Sequence, residues 1–372
     1  MATIDQDELD AFVDSVRRLL ADRSTEADVR RTMDGPEGHD PALWRDLASM
    51  GVAGLLVDAR HGGVGAGPVE LERVMEEMGA VLACTPMLSS GVLAAGLLQA
   101  LDDADAQARL LPGIADGSRI ATVALTGPKG GWTESDVAVT ARQGSDGWRL
   151  AGTAGYVTHG QIADLLLVVA RTPDGIGVFE LPAEAPGLQR KALPVFDRTQ
   201  PMAELSLQDA PARRLACARP GWQAVEAALD LARIALAGEQ SGAARRVLEA
   251  TVAYAQDRFQ FGRAIGSFQA IKHMAADLLL ESESCTSAAR HAARCLADGD
   301  ADAPQAVCLA AFACADAFST VAATSIQMHG GIAFTWAHPA HLYLRRARAD
   351  AQLFGTPAAY RERYVQLLEA QA

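Results

Sequence analysis

Lysine is nearly missing from this 372-residue chain: Lys129, Lys191 and Lys272 are the only three. Almost all basic charge is therefore arginine, and few amines are present for Schiff-base chemistry. Aromatic residues make up 5%, and acids outnumber bases 46 to 33, for a formal charge of −13. Such an acidic surface repels a phosphate backbone, which argues against nucleic-acid binding. No C-x-x-C pair occurs among Cys84, Cys217, Cys285, Cys295, Cys308 and Cys314, so buried thiols are expected rather than a disulfide framework. No uninterrupted apolar run approaches the ~18 residues that span a bilayer. One such run, at 165–170, has the length of a strand. The opening Met-Ala-Thr-Ile-Asp-Gln-Asp-Glu lacks the basic and apolar regions of a signal peptide. Together these absences predict a cytoplasmic protein with no membrane span. No metal site is expected either: His338 and His341 share an i, i+3 spacing, but Pro339 lies between them and no third ligand is evident.

Periodicity divides what is present. Leu9, Phe12, Val13, Val16 and Leu20 recur at helical spacing, and Asp40-Pro41 reads as a helix start with an N-cap and a proline at N1. Further helices are predicted at 68–78 and 88–101. From about 120 to 207 the pattern changes to short β-rich runs, at 120–125, 137–142, 148–150, 165–171, 176–181 and 204–207. Ser145-Asp146-Gly147 marks a hairpin among them. The helical period then returns in three long segments, at 225–256, 271–297 and 306–328. The last is apolar nearly all round and is expected to be buried on several sides. The fold class is α+β: an N-terminal helical domain (1–118), a middle β-barrel or sandwich domain (119–217) and a C-terminal four-helix bundle domain (218–372).

Two motifs stand out. One is Asp257-Arg258-Phe259-Gln260-Phe261-Gly262-Arg263-Ala264-Ile265-Gly266-Ser267-Phe268-Gln269-Ala270-Ile271, and the other Gln327-Met328-His329-Gly330-Gly331-Ile332-Ala333-Phe334. An arginine, a Phe-Gly turn and an apolar residue on the next helix form a cationic, partly apolar clamp, suited to a diphosphate joined to an aromatic base. Gly330-Gly331 lets the backbone approach a ligand closely. With Ala124-Leu125-Thr126-Gly127-Pro128 and Tyr156-Val157-Thr158, these stretches resemble the acyl-CoA dehydrogenase family over about residues 5 to 365.

The resemblance implies FAD as cofactor, an acyl-CoA thioester as substrate and α,β-dehydrogenation as the reaction. It also implies electron-transfer flavoprotein as acceptor and a homo- or heterotetramer. Carried over by position, Leu125, Thr126, Tyr156 and Thr158 contact the isoalloxazine side, and Thr356 faces the chain's own flavin. Arg258, Phe261, Ile265, Phe268, Gln327 and Gly331 bind the diphosphate and adenine of a neighbour's FAD. Arg233 and Phe354 fall at substrate positions.

The departures carry as much information. The family places its catalytic glutamate at one of two positions, and here these hold Ala232 and Phe354. Neither side chain accepts a proton. Further departures are Gly127 and Ala337 in place of glutamates, Trp132 in place of a small residue, Arg346 in place of an aspartate and Ala358 in place of a glutamine. Three readings follow. In the first, the chain is one subunit of a heteromer whose partner supplies the base. In the second, it is a homotetramer with a relocated base, for which Glu239, seven residues after Ala232, is the candidate. In the third, it is a flavin-dependent monooxygenase on the same fold, which needs no such base.

Overall fold

The computed structural model describes residues 5–371, and the opening residues 1–4 of the leader expectation lie outside them. Contacts group the chain into two units. The barrel unit holds Arg31–Gly67 and Cys84–Ala232. The bundle unit holds Asp5–Arg30, Pro68–Ala83 and the chain from Arg233 onward. Helices, strands and helices follow in the expected order, but the N-terminal helices are shared between the two units.

In the barrel unit, α3 (Pro41–Ser49, the third helix of the chain) starts where its cap predicts. Asp40 accepts from the N–H groups of Ala42 and Leu43. Seven strands follow: β1 (Ala121–Ala124), β2 (Thr140–Gly144), β3 (Gly147–Thr158), β4 (Leu165–Thr172), β5 (Gly175–Pro182), β6 (Leu188–Ala192) and β7 (Met202–Arg214). Ser145 and Asp146 form the two-residue loop between β2 and β3. Pairings β2–β3, β3–β7, β7–β5, β5–β4 and β4–β2 return to their start, which closes a five-stranded barrel. β1 adds to β4, and β6 to β7. Leu150, Leu166, Val168, Phe179 and Leu205 fill the interior. β4 is an unbroken apolar run because all of its residues from 165 to 170 are buried, whichever way they point.

Two expectations need correction here. Residues 88–101 do not form one α-helix: Met87–Ala94 is π-helical and fully buried, and only Ala95–Leu101 is α-helical. Hydrogen bonds from outside the helix act on this segment, since the Ser90 hydroxyl accepts from the N–H of Ala121 at 3.0 Å. β6 escaped prediction because Gln189, Arg190 and Lys191 give it no apolar alternation, and it pairs only with β7.

The bundle unit contains α1 (Gln6–Arg23), α4 (Pro68–Ala80), α8 (Gln269–Asp298), α9 (Ala303–His329), α10 (Ala340–Asp350) and α11 (Pro357–Glu369). The single helix α7 (Gly221–Asp257) enters it at Arg233. The stripe of α1 is buried at Leu9, Val13, Val16 and Leu20. Ile234 and Ala237 of α7 pack with Cys285 and Ala289 of α8 and with Val307 and Cys314 of α9, and α11 covers α9. Five of the six cysteines are buried free thiols, and Cys217 is half-buried.

α9 also corrects the run-counting argument. With the turn that follows, to Phe334, it is long and apolar enough to cross a membrane by length and composition. Asp316 is the only acid or Lys/Arg within that stretch, while scattered Gln, Ser and Thr break its apolar runs. It is buried against α8, α10 and α11 on several sides.

Glycines bring α4 and α7 into backbone contact. A Cβ on Gly242 would sit 1.7 Å from the Glu76 carbonyl oxygen, and one on Gly79 only 1.9 Å from that of Glu239. This crossing buries Glu72, Glu76 and Glu77. Arg17 binds Glu77 through two hydrogen bonds of 2.9 Å, and Arg290 binds Glu76 at 3.0 Å. Glu72 Oε1 has no hydrogen-bond partner among the described residues. Burial, and then the neighbouring Glu76, push the Glu72 carboxyl from 4.5 up to about 8, although Arg290, Arg73 and Arg294 act against this. The unfolded chain ionises this group at the lower value, while the folded protein holds its proton up to the higher one. Stability should therefore fall as pH rises between these values, by up to about 1.4 kcal/mol per pH unit, and level off above them. Glu72→Gln is expected to flatten that slope in urea unfolding, and an unchanged slope would refute the assignment.

Candidate cofactor and substrate site

On the barrel unit, the site residues meet at an irregularity in β3. The register against β7 shifts between Ala154 and Val157, and Tyr156 in this bulge adopts φ +52°. Bulges re-aim side chains, and this one leaves the Tyr156 ring partly exposed. Leu125, Thr126 and Thr158 have buried side chains. Gly155 N–H donates to the Thr126 carbonyl at 2.8 Å, and the Thr122 hydroxyl donates to that of Thr158 at 2.6 Å. These bonds bring the four predicted residues onto neighbouring strand ends. Gly127 has no room for a side chain, because a Cβ there would lie 2.7 Å from the Asp136 carbonyl oxygen.

The arm stands on the bundle unit. β8 (Phe259–Gln260) and β9 (Arg263–Ala264) form a minimal hairpin. Its two loop residues, Phe261 and Gly262, have φ of +54° and +78°. Positive φ at both central positions is the geometry of a type I′ turn, strained for phenylalanine and easy for glycine. Phe261 is 92% exposed, its ring edge-on to Phe268, and the Arg263 guanidinium lies 4.0 Å over the Phe268 ring. Ile265 N–H donates to the Arg258 carbonyl at 2.8 Å, tying the hairpin to the end of α7.

Tyr254, one turn before Arg258, stacks on His329 of α9 with ring centroids 4.4 Å apart. The ends of α7 and α9 are thereby held side by side. Arg258 and Gln327 are exposed, and their side chains have no ion pair or hydrogen bond among the described residues. At Gly330 and Gly331 nothing lies within 4 Å of a would-be Cβ. An unengaged guanidinium, an unengaged amide and bare backbone at a helix end fit a dinucleotide diphosphate.

The substrate positions are buried. Phe354 is 1% exposed and has φ +62°. The Tyr360 hydroxyl donates to its carbonyl at 2.5 Å and accepts from Arg233 Nε at 3.1 Å. This chain of bonds holds the left-handed turn in place, and the Thr356 hydroxyl caps α11 by accepting from Ala359 N–H. Ala232 is fully buried. Sequence reasoning missed Tyr360, whose only signal was a phenol among the polar residues of α11.

Glu239, the candidate for a relocated base, forms a buried ion pair with Arg346. A buried carboxylate needs a cation, and the arginine standing where the family has an aspartate was the clue. Among the described residues, no group of three metal-ligating side chains occurs.

Comparisons with known proteins agree with this architecture. Residues 6–118 match the acyl-CoA dehydrogenase N-terminal domain, and residues 219–366 match the acyl-CoA dehydrogenase C-terminal domain. Acyl-CoA dehydrogenase IpdE2 of Mycobacterium tuberculosis is 34% identical over 345 residues, 92% of each chain. A chain from a variant of the Tcur3481-Tcur3483 steroid ACAD superposes with a TM-score of 0.89 at 33% identity over 98% of both chains. One from the ChsE4-ChsE5 complex of Mycobacterium tuberculosis superposes with a TM-score of 0.89 at 30% identity over 99% of both. Two domain matches and identity above 30% along nearly the whole length place this chain in the acyl-CoA dehydrogenase family.

Proposed function

We propose that this chain is the subunit of a heteromeric, FAD-dependent acyl-CoA dehydrogenase that lacks the base and holds its partner's cofactor. The observation that carries this reading is a contrast. The arm presents Arg258 and Gln327 with no partner among the described residues, while hydrocarbon is buried at both positions where a glutamate would act. That two of the structural relatives are named as two-component assemblies supports it.

FAD, when bound, would supply the hydride acceptor for oxidation of the acyl thioester, and electron-transfer flavoprotein would be the acceptor of its electrons. The residues of this chain bind and orient. Arg258 and Gln327 hold the diphosphate, and Gly330 and Gly331 admit it closely. Phe261, Ile265 and Phe268 cover the adenine. The Tyr360 and Arg233 bonds hold the backbone of Phe354 at the position expected to meet a thioester carbonyl, a role that does not depend on its side chain. The α-proton goes to a carboxylate of the partner subunit. The commitment of Glu239 to Arg346 weighs against a homotetramer with a relocated base.

Co-expression with the neighbouring gene and measurement of flavin against protein test this. About one FAD for every two chains is expected, and one per chain would sink the mixed assembly. In that assembly, Arg258→Ala should weaken flavin retention about tenfold through the loss of charge-assisted bonds to phosphate. Undiminished flavin in the variant would remove the arm from the cofactor site.

A further inference from the structure

The bundle unit contains a half-open cavity of about 600 Å³ among α1, α4, α7, α9 and α10. That volume is in the range of small-molecule sites. It is distinct from the cofactor arm: His329 lines it, while Gln327 lies about 200° round α9 and is exposed. The floor is apolar, with Leu20, Val29, Leu82 and Val247. One wall is a cluster of flat rings. His329 stacks on Tyr254 and lies 4.6 Å from His338. Nδ1 of His329 donates to the Ser325 carbonyl at 2.8 Å, which fixes the ring. Burial pushes His338 below the usual imidazole range, so its ring is uncharged at neutral pH.

Around the rim, the carboxylates Glu77 and Glu26 are already engaged by other arginines. Glu77 is bound by Arg17 and Arg245, and Glu26 by Arg30 at 2.7 Å. Arg246, also at the rim, lies near Tyr343 and has no carboxylate partner among the described residues. An apolar chamber walled on one side by aromatic rings, with a guanidinium that lacks a carboxylate partner among the described residues, matches a particular ligand chemistry. We propose that this cavity binds a flat, apolar carboxylic acid, aromatic or fused-ring. Its rings lie against Tyr254, His329 and His338, and its carboxylate lies on Arg246.

Calorimetric titration of the full assembly with 2-naphthoate is the test. Saturable binding at one site per chain is expected, weakened about tenfold by Arg246→Ala. Uncharged 2-naphthamide should bind about tenfold more weakly and be indifferent to that substitution. Ala250→Trp, on the exposed side of α7 and lining the cavity, should abolish binding by filling it, with flavin content unchanged. Absence of saturable binding overturns the proposal. So does binding untouched by both substitutions, or displaced by acyl-CoA, since either places the probe elsewhere.

Discussion

Glu239→Ala is expected to lower the unfolding free energy by about 3–5 kcal/mol, the usual result of removing one partner of a buried ion pair. Glu239 is 4% exposed and Arg346 only 1%, so water does not replace the lost carboxylate. The guanidinium stays in the core because α10 is anchored at Leu342 and Ala347 on either side of it. Replacing both residues together, Glu239→Leu with Arg346→Met, should recover most of the loss, since two hydrocarbons need no desolvation of charge. Urea midpoints of the two single variants and the double variant measure this. A Glu239→Ala protein that unfolds at the wild-type midpoint would show that the pair contributes nothing. The same series bears on function: a single variant that keeps its folded fraction and its activity with partner confirms that Glu239 takes no proton from substrate.

The second large effect is on turnover. Purified without a partner, the chain is expected to oxidise acyl-CoA at least about 10²-fold more slowly than the co-expressed assembly, with a dye as electron acceptor. A positioned carboxylate contributes about 10²–10⁴-fold by general base catalysis, and neither alanine nor phenylalanine replaces it. Flavin reconstituted to equal occupancy in both samples separates loss of the base from loss of the cofactor. Robust turnover by the homogeneous chain would mean that a proton acceptor exists within this polypeptide, and the division of labour between subunits would fall.

Local signals were legible wherever near neighbours decide the conformation. The Asp40-Pro41 start, the Ser145-Asp146 loop and the three long helices are set by capping, turn chemistry and period, all of which act within a few residues. The same reasoning failed where distant partners decide. Met87–Ala94 has helical composition, yet adopts the π form beside β1, whose Ala121 N–H it binds through Ser90. β6 is a strand only because β7 lies beside it. Glu239 and Arg346 are 107 residues apart, and Arg233 and Tyr360 are 127 apart. No window along the chain contains both members of either pair.

By itself, the sequence determined the chemical inventory: hydrocarbon at 232 and 354, an arginine-bearing arm at 258 with glycines at 330 and 331, and the order of helices and strands. These follow from residue identity and short-range period, which do not depend on what lies across the fold. Tertiary structure alone decided which charges are spent inside the protein and which remain for a ligand. Glu239 was drawn into the core by Arg346, Glu77 was claimed by Arg17, and Arg246 and Arg258 were left without a carboxylate among the described residues. The physical reason is that the availability of a charge is a property of its surroundings, and those are assembled from segments far apart in the chain.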